Sequence, residues 1–140
     1  MKIVIVDDHP VVRKGLKTIL EENGYNICGE AEDGNTAVKT VADTEPDLVI
    51  VDIELKGNVN GIELIAALKT RFNRLPILVM SMDDGTLYAE RSIQAGAKGY
   101  VTKAEASDNI INAIETVMSG KLFLSRSISD KTSRFKSSFV

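Results

Sequence analysis

Two short, wholly apolar runs that end in aspartate constrain what this chain can fold into. Ile3–Val6 leads directly into Asp7 and Asp8, and Leu48–Val51 leads directly into Asp52. Four apolar residues without polar alternation indicate a strand buried on both faces, as in a parallel sheet covered by helices. Ligands bind at the carboxyl ends of the strands in such sheets, so the three carboxylates are predicted to converge there.

Length and composition allow one ordinary hydrophobic core. The chain has 140 residues, of which 44% are hydrophobic, and this predicts one domain over residues 1–120 followed by a tail. No apolar run approaches the roughly 18 residues of a membrane span or follows a basic leader, so we expect a cytoplasmic protein without a membrane segment. The single cysteine, Cys28, excludes an internal disulfide and a cysteine-based zinc site.

Charge is distributed unevenly between the body of the chain and its end. Residues 1–120 carry 12 Lys and Arg against 19 Asp and Glu, whereas residues 121–140 carry five against one. The acidic body does not favour nucleic-acid binding. The basic, serine-rich end is interpreted as a linker or tail, and an arm that contacts DNA phosphates is the alternative.

Amphipathic segments alternate with the apolar runs and predict helices between the strands. The first helix opens at Pro10 with Val11 on its apolar face, Asp83–Gln94 is a weaker helix, and Ser107 caps the last one. Further strands are expected at residues 26–31, 77–80 and 100–101. This repeat predicts an α/β fold of the flavodoxin-like (CheY-like) plan, with a five-stranded parallel sheet in the order 2-1-3-4-5 and five helices.

Two more polar residues, Ser81 and Lys103, follow the last two predicted strands. Carboxylates about 4 Å apart repel by about 4 kcal/mol per pair at an effective dielectric near 20, so a divalent cation is expected among the three aspartates. Oxygen ligands without cysteine favour Mg²⁺ or Mn²⁺. A carboxylate, a cation, a hydroxyl and an ammonium at one point suit a phosphoryl group, which the carboxylate could attack. Alternatively, Lys103 only pairs with buried acids.

His9 follows the acid pair and is not counted among the predicted ligands. A histidine at the start of a helix is more often a cap or a surface residue.

Motifs spread over residues 2 to about 120 resemble the receiver domain of bacterial response regulators. The matching stretches are Ile3–Pro10, Arg13–Leu16, Gly29–Ala31, Asp33-Gly34, Pro46–Asp52, Asn60-Gly61 and Ala95–Lys103. Asp-Asp-His-Pro and Ala-Gly-Ala-Lys-Gly-Tyr especially resemble the NarL/FixJ (LuxR-type) branch, whose members usually carry a C-terminal helix-turn-helix.

The resemblance implies a role for each residue around the acceptor. Asp52 would be the phosphate acceptor, Asp8 a direct Mg²⁺ ligand and Asp7 a ligand chiefly through water. The backbone carbonyl of Glu54 would complete the protein's share of the metal shell.

The resemblance also implies a switch and its partners. Lys103 would pair with the phosphoryl oxygens, Ser81 would bond one of them, and Tyr100 would turn inward in response. A sensor histidine kinase would supply the phosphoryl group, and the phosphorylated chain would form a homodimer. The domain would catalyse only its own phosphorylation and dephosphorylation.

Three positions near the site depart from the family pattern. The loop Ile53–Gly61 lacks a proline and is one residue longer, Ala104 stands where proline is common and often cis, and Met82 stands where a small residue is usual. Met82 is expected to narrow access to the phosphoryl group. Glu54 and Asp83 are hypothesised to tune the lifetime of the acyl phosphate by placing or excluding the attacking water.

The segment Gly120–Ser125 resembles the start of the linker to a NarL-type DNA-binding domain. A truncated transcription regulator is expected, in which DNA is contacted only through an output domain absent here, and a natural single-domain receiver is the alternative. Two other interpretations of the function are an aspartyl-phosphate hydrolase and an inactive flavodoxin-like interaction domain. Nucleotide binding is disfavoured because no glycine-rich phosphate loop follows the first strand.

Overall fold

Six parallel strands form one sheet at the centre of the molecule. The computed structural model describes residues 1–55 and 60–131. The strand bounds are Lys2–Val6 (β1), Asn26–Ala31 (β2), Leu48–Asp52 (β3), Ile77–Ser81 (β4), Gly99–Thr102 (β5) and Phe123–Leu124 (β6). The order in the sheet is β2-β1-β3-β4-β5-β6. This confirms the predicted order 2-1-3-4-5 and adds one short strand beside β5.

Helices connect the strands and cover both faces of the sheet. Their bounds are Pro10–Glu22 (α1), Gly34–Thr44 (α2), Gly61–Arg71 (α3), Thr86–Ala95 (α4), Lys103–Met118 (α5) and Arg126–Ser129 (α6). No helix within the described ranges is both long enough and apolar enough to cross a membrane.

The sheet separates two hydrophobic cores. In β1, Val4 and Val6 belong to the core shared with α2, α3 and α4, whereas Ile3 and Ile5 belong to the core shared with α1 and α5. All four side chains are fully buried. This explains why the strands lack polar alternation, because a sheet covered on both faces has no solvent side.

The prediction that Ser107 caps the last helix is wrong. Helix α5 begins at Lys103, so Ser107 lies in its second turn and Thr102 takes the N-cap position. Strand β5 therefore passes directly into α5. Glu105 lies in the first turn of the helix, where the helix dipole favours an acidic side chain.

Two further details of the helix predictions differ from the structure. Val11 was expected to face the core but is 85% exposed, because the buried positions of α1 begin further along the helix. Helix α4 begins at Thr86 and not at Asp83. The carboxylate of Asp83 instead accepts a hydrogen bond from the backbone N–H of Gly85 at 2.7 Å, which forms a turn ahead of the helix.

Residues 121–131 pack against β5 and form β6 and α6, two elements that the sequence pattern does not predict. The backbone N–H groups of Phe123 and Ser125 donate to the carbonyls of Lys98 and Tyr100 at 3.0 and 2.9 Å. Ile128 is fully buried in the core. These apolar stretches are too short to give a periodic signal, and they are ordered by tertiary contacts with the β5 edge and the core. Residues 132–140 lie outside the described residues.

Candidate functional site

The carboxyl ends of four neighbouring strands bring the predicted site residues to one edge of the sheet. Asp52 is the last residue of β3, Ser81 the last of β4, and Lys103 directly follows β5. Asp7 directly follows β1. Asp7 and Asp52 are only 2% and 1% exposed, and Ser81 is fully buried. The expected convergence of these residues is therefore present.

Four side chains form a compact group that we call the acid cluster. Its members are Asp7, Asp8, His9 and Asp52. Each offers one ligand atom, and these atoms all lie within 4.8 Å of one another. Three carboxylates and one imidazole form a donor set that fits a divalent cation. The acid cluster is thus a candidate site for a divalent metal ion.

Lys103 supplies the nearest ammonium group to the acid cluster. Its Nζ lies 3.1 Å from Oδ2 of Asp52 and 3.8 Å from Oδ2 of Asp7. Burial raises the pKa of Asp7 above its ordinary value and the charge of Asp52 raises it further, while the hydrogen bond from the His9 backbone opposes both effects. The pair of buried acids therefore carries an electrostatic cost that one lysine does not remove.

His9 was not included in the predicted ligand set, yet its ring lies among the acids. Its Nδ1 is 2.9 Å from Asp8, 3.0 Å from Asp7 and 3.5 Å from Asp52, measured to the carboxylate oxygens. The side chain makes no N-cap hydrogen bond to α1, but His9 stands at the N-cap position and its side chain is 46% exposed, as expected of a histidine at the start of a helix. The signal that could have found it is its place directly after two aspartates at a strand end.

Arg13 is a second residue that sequence reasoning missed. Its guanidinium donates to the backbone carbonyl of Asp7 at 2.6 Å and lies 3.4 Å from Glu30 and 3.6 Å from Glu32. Arg13 therefore ties helix α1 to the loop that carries the acid pair. The sequence feature that could have identified Arg13 is its position one turn after Pro10 in a predicted helix.

A second group of contacts lies beside the acid cluster, and we call it the switch contact. It consists of the Glu54 carboxylate and the two groups that donate hydrogen bonds to it. Ser81 Oγ donates to Oε2 of Glu54 at 2.5 Å, and the Met82 backbone N–H donates to Oε1 at 2.9 Å. The Glu54 backbone N–H in turn donates to Oδ1 of Asp52 at 3.0 Å. Glu54 thus connects the acceptor strand to the end of β4.

Tyr100 and Asp83 lie behind the switch contact. The Tyr100 hydroxyl donates to the carbonyl of Asp83 at 2.8 Å, and the Asp83 backbone N–H donates to Ser81 Oγ at 3.0 Å. Tyr100 is fully buried, and this burial raises the pKa of its hydroxyl. The inward position expected after phosphorylation is therefore already occupied in this structure. The Met82 side chain is 73% exposed and lies on the rim near Lys103.

The loop after β3 is described only at its two ends. Residues 56–59, where the loop was predicted to depart from the family pattern, lie outside the described residues. Asn60 caps α3 by accepting the Glu63 backbone N–H at 2.9 Å. A Cβ on Gly61 would lie 2.5 Å from Cα of Ile53, so this close approach requires glycine.

The peptide bond between Lys103 and Ala104 is trans, since the described residues contain no cis bond.

Comparison with known proteins identifies the family. The model of the response regulator receiver domain matches residues 3–115. The DNA-binding transcriptional activator EvgA of Escherichia coli (strain K12) is 36% identical over 120 residues, which are 86% of this chain and 58% of EvgA. This chain thus spans little more than half the length of that relative.

Solved structures agree with the sequence comparison. A two-component response regulator of the LuxR family from Aurantimonas sp. SI85-9A1 has a TM-score of 0.91 and 33% identity, with 97% of each chain covered. The isolated REC domain of RcsB from Salmonella enterica serovar Typhimurium, determined with the phosphomimetic BeF3-, has a TM-score of 0.86 and 28% identity. It covers 93% of this chain, and 96% of the RcsB chain is matched. The present chain therefore belongs to the family of response regulator receiver domains, which act in signalling, and is related to LuxR-type transcription regulators.

Proposed function

We propose that Asp52 accepts a phosphoryl group from a sensor histidine kinase. The observation that carries this proposal is the buried Asp52 carboxylate at the end of a central strand, with Lys103 Nζ 3.1 Å away. A carboxylate oxygen attacks phosphorus, the P–N bond of the kinase phosphohistidine breaks, and the leaving imidazole takes up a proton. The products are an acyl phosphate on Asp52 and a free histidine on the kinase. The domain catalyses only this step and its own dephosphorylation.

The acid cluster is proposed to hold Mg²⁺, or Mn²⁺ in its place. Asp8 and Asp52 would bind it directly, Asp7 chiefly through water, and the Glu54 backbone carbonyl would complete the set. When bound, the cation neutralises negative charge on the phosphoryl oxygens. Support comes from the close spacing of the carboxylates and from the raised pKa of Asp7, because two buried acids are poorly balanced by one lysine.

Lys103, Ser81 and Tyr100 are proposed to convert the added charge into a change of shape. Lys103 would pair with the phosphoryl oxygens, and Ser81 would donate to one of them. Tyr100 is bonded to the loop that carries Asp83, so movement of Ser81 would reach it through that loop. The surface of α4 and β5 would then report the phosphorylated state.

Three side chains at the rim are proposed to tune the lifetime of the acyl phosphate. Glu54 and Asp83 would place or exclude the attacking water, and Met82 would narrow access to the phosphoryl group. Replacing Glu54 and Asp83 singly by alanine and timing phosphate loss tests the idea. Unchanged lifetimes in both variants would remove it.

We propose that the chain is the receiver domain of a transcription regulator that acts in the cytoplasm. EvgA is a DNA-binding activator, and RcsB has been solved as a complex with DNA. By analogy, phosphorylation would promote a homodimer, and DNA would be contacted through a helix-turn-helix domain outside the region described here.

The decisive experiment compares the protein with Asp52→Asn and with Asp43→Asn, a matched change at an exposed helix position. Each is treated with Mg²⁺ and a small phosphodonor, and its mass and association state are measured. One phosphate adduct is expected on the wild-type protein and on Asp43→Asn, and none on Asp52→Asn. An adduct on all three would remove the assignment of Asp52. Repeated turnover of a phosphomonoester would favour the hydrolase alternative.

A further inference from the structure

The switch contact commits the hydrogen-bond donors that a phosphoryl group would need. A serine hydroxyl has one hydrogen to donate, and a backbone amide has one. In this structure Ser81 and Met82 both donate theirs to the carboxylate of Glu54. Neither group has a second hydrogen for another acceptor, so Glu54 occupies a two-donor anion site.

Ser81 is also tied to the loop after β4. Its oxygen accepts the backbone N–H of Asp83 at 3.0 Å, so one of its two acceptor positions is already used. The acceptor of the Ser81 hydroxyl is a carboxylate, and hydrogen bonds to carboxylates are stronger than those between neutral groups. The contact with Glu54 is therefore one that a competing anion must break.

We propose that Glu54 is a displaceable internal anion that holds Ser81 and the Met82 amide until the phosphoryl group takes its place. This inference rests on the proposed function of Asp52. Glu54 acts as a positioning residue, because its carboxylate controls two donors and takes no part in bond making. The same contact explains why Tyr100 is buried without a phosphoryl group. Glu54 already holds the Ser81–Asp83 segment, to which the Tyr100 hydroxyl donates a hydrogen bond.

A groove next to Glu54 offers a place for the displaced carboxylate. The groove has a volume of about 650 Å³, and Glu54, Glu63, Tyr88 and Arg91 are among the residues that line it. Arg91 is the one cation among the described lining residues. A carboxylate driven off Ser81 by the like charge of the phosphoryl group would move toward this guanidinium.

The test measures the affinity for beryllofluoride with Mg²⁺, a stable substitute for the phosphoryl group. Glu54→Ala and Glu54→Gln are compared with Glu63→Gln, which removes one negative charge from the same groove and keeps a residue type that serves in the capping box of α3. Removing the competitor is expected to tighten binding by about tenfold or more in both Glu54 variants. Glu63→Gln is expected to stay within about twofold of the wild type.

A double-mutant cycle with Arg91→Gln tests the second position of Glu54. Arg91→Gln should weaken beryllofluoride binding about threefold when Glu54 is present and leave it unchanged when Glu54 is alanine. Thermal unfolding of each variant verifies that it is folded. A merely structural role of Glu54 would weaken binding when it is removed, so the direction of the change separates the two explanations.

The outcomes separate this inference from the proposed function. If the wild type and the Glu54 variants bind equally, or if Glu63→Gln tightens binding as much as Glu54→Gln, the inference is overturned and the role of Asp52 stands. If no variant binds beryllofluoride with Mg²⁺, the proposed function fails and the inference fails with it.

Discussion

The acid cluster and the switch contact lie side by side but have opposite charge balance. In the acid cluster, three carboxylates exceed the positive charge that Lys103 and the His9 ring can provide. In the switch contact, neutral donors are fully occupied by one carboxylate. An added cation would therefore stabilise the acid cluster, whereas the switch contact would change when another anion replaces Glu54. Under the proposed function, the metal binds within the acid cluster, whereas a phosphoryl group on Asp52 also takes the donors of the switch contact from Glu54.

The largest expected effect comes from a buried residue of the short C-terminal helix α6. Ile128 is fully buried in the core cluster that contains Tyr100, so Ile128→Ala should lower the free energy of unfolding by about 3 kcal/mol. Urea denaturation measures this loss. Mg²⁺ affinity should change less than twofold because the acid cluster lies at the ends of other strands. A large loss of Mg²⁺ affinity would show that the two regions are not separate.

Metal binding should stabilise the fold through the acid cluster alone. At a Mg²⁺ concentration 100 times Kd, the free energy of unfolding should rise by about 2.7 kcal/mol. Asp8→Asn should lose most of this gain, and Asp43→Asn should keep it. Calorimetry with and without Mg²⁺ provides the measurement, and an equal gain in Asp8→Asn would place the cation elsewhere.

Removing one charge from the acid cluster should stabilise the metal-free protein. Burial raises the pKa of Asp7, so the folded state favours its neutral form and loses stability as pH rises through that pKa. Asp7→Asn supplies a neutral side chain and should add about 1 kcal/mol at pH 7, or about 3 °C in Tm. A lower Tm without Mg²⁺ would show that the acids are already balanced.

The smallest expected effect concerns Glu105, which holds the start of α6. Its carboxylate accepts the backbone N–H groups of Arg126 and Ser127 at 3.1 and 3.2 Å, and the hydrogen bonds from Ser127 lower its pKa below 4.5. Its contribution is therefore present above pH 4.5 and is lost as pH falls through the folded pKa. Because Glu105 is only partly buried and solvent screens its interactions, Glu105→Ala should cost only about 0.5 kcal/mol at pH 7. Amide hydrogen exchange in residues 126–129 should reveal this loss, and unchanged exchange would contradict it.

The positions of strands and acids could be predicted because both follow from local sequence. Apolar runs such as Leu48–Val51 specify buried strands, and parallel strands bring their carboxyl ends together. The residues that approach the site from solvent could not be predicted in this way. His9 is an exposed side chain and Glu54 a partly buried one, and their orientation also depends on groups distant in sequence, such as Asp52 and Ser81. Strand β6 was missed because two residues carry no periodicity.

The chemical identity of the acceptor residue tests the account most directly. The protein is incubated with Mg²⁺ and acetyl phosphate, reduced with borohydride and digested, and its peptides are analysed by mass spectrometry. Reduction converts an aspartyl phosphate into homoserine, which marks the residue that carried the phosphoryl group. Homoserine is predicted at position 52 alone. Homoserine at position 7 or 8, or phosphate on a residue that borohydride leaves unchanged, would contradict the account.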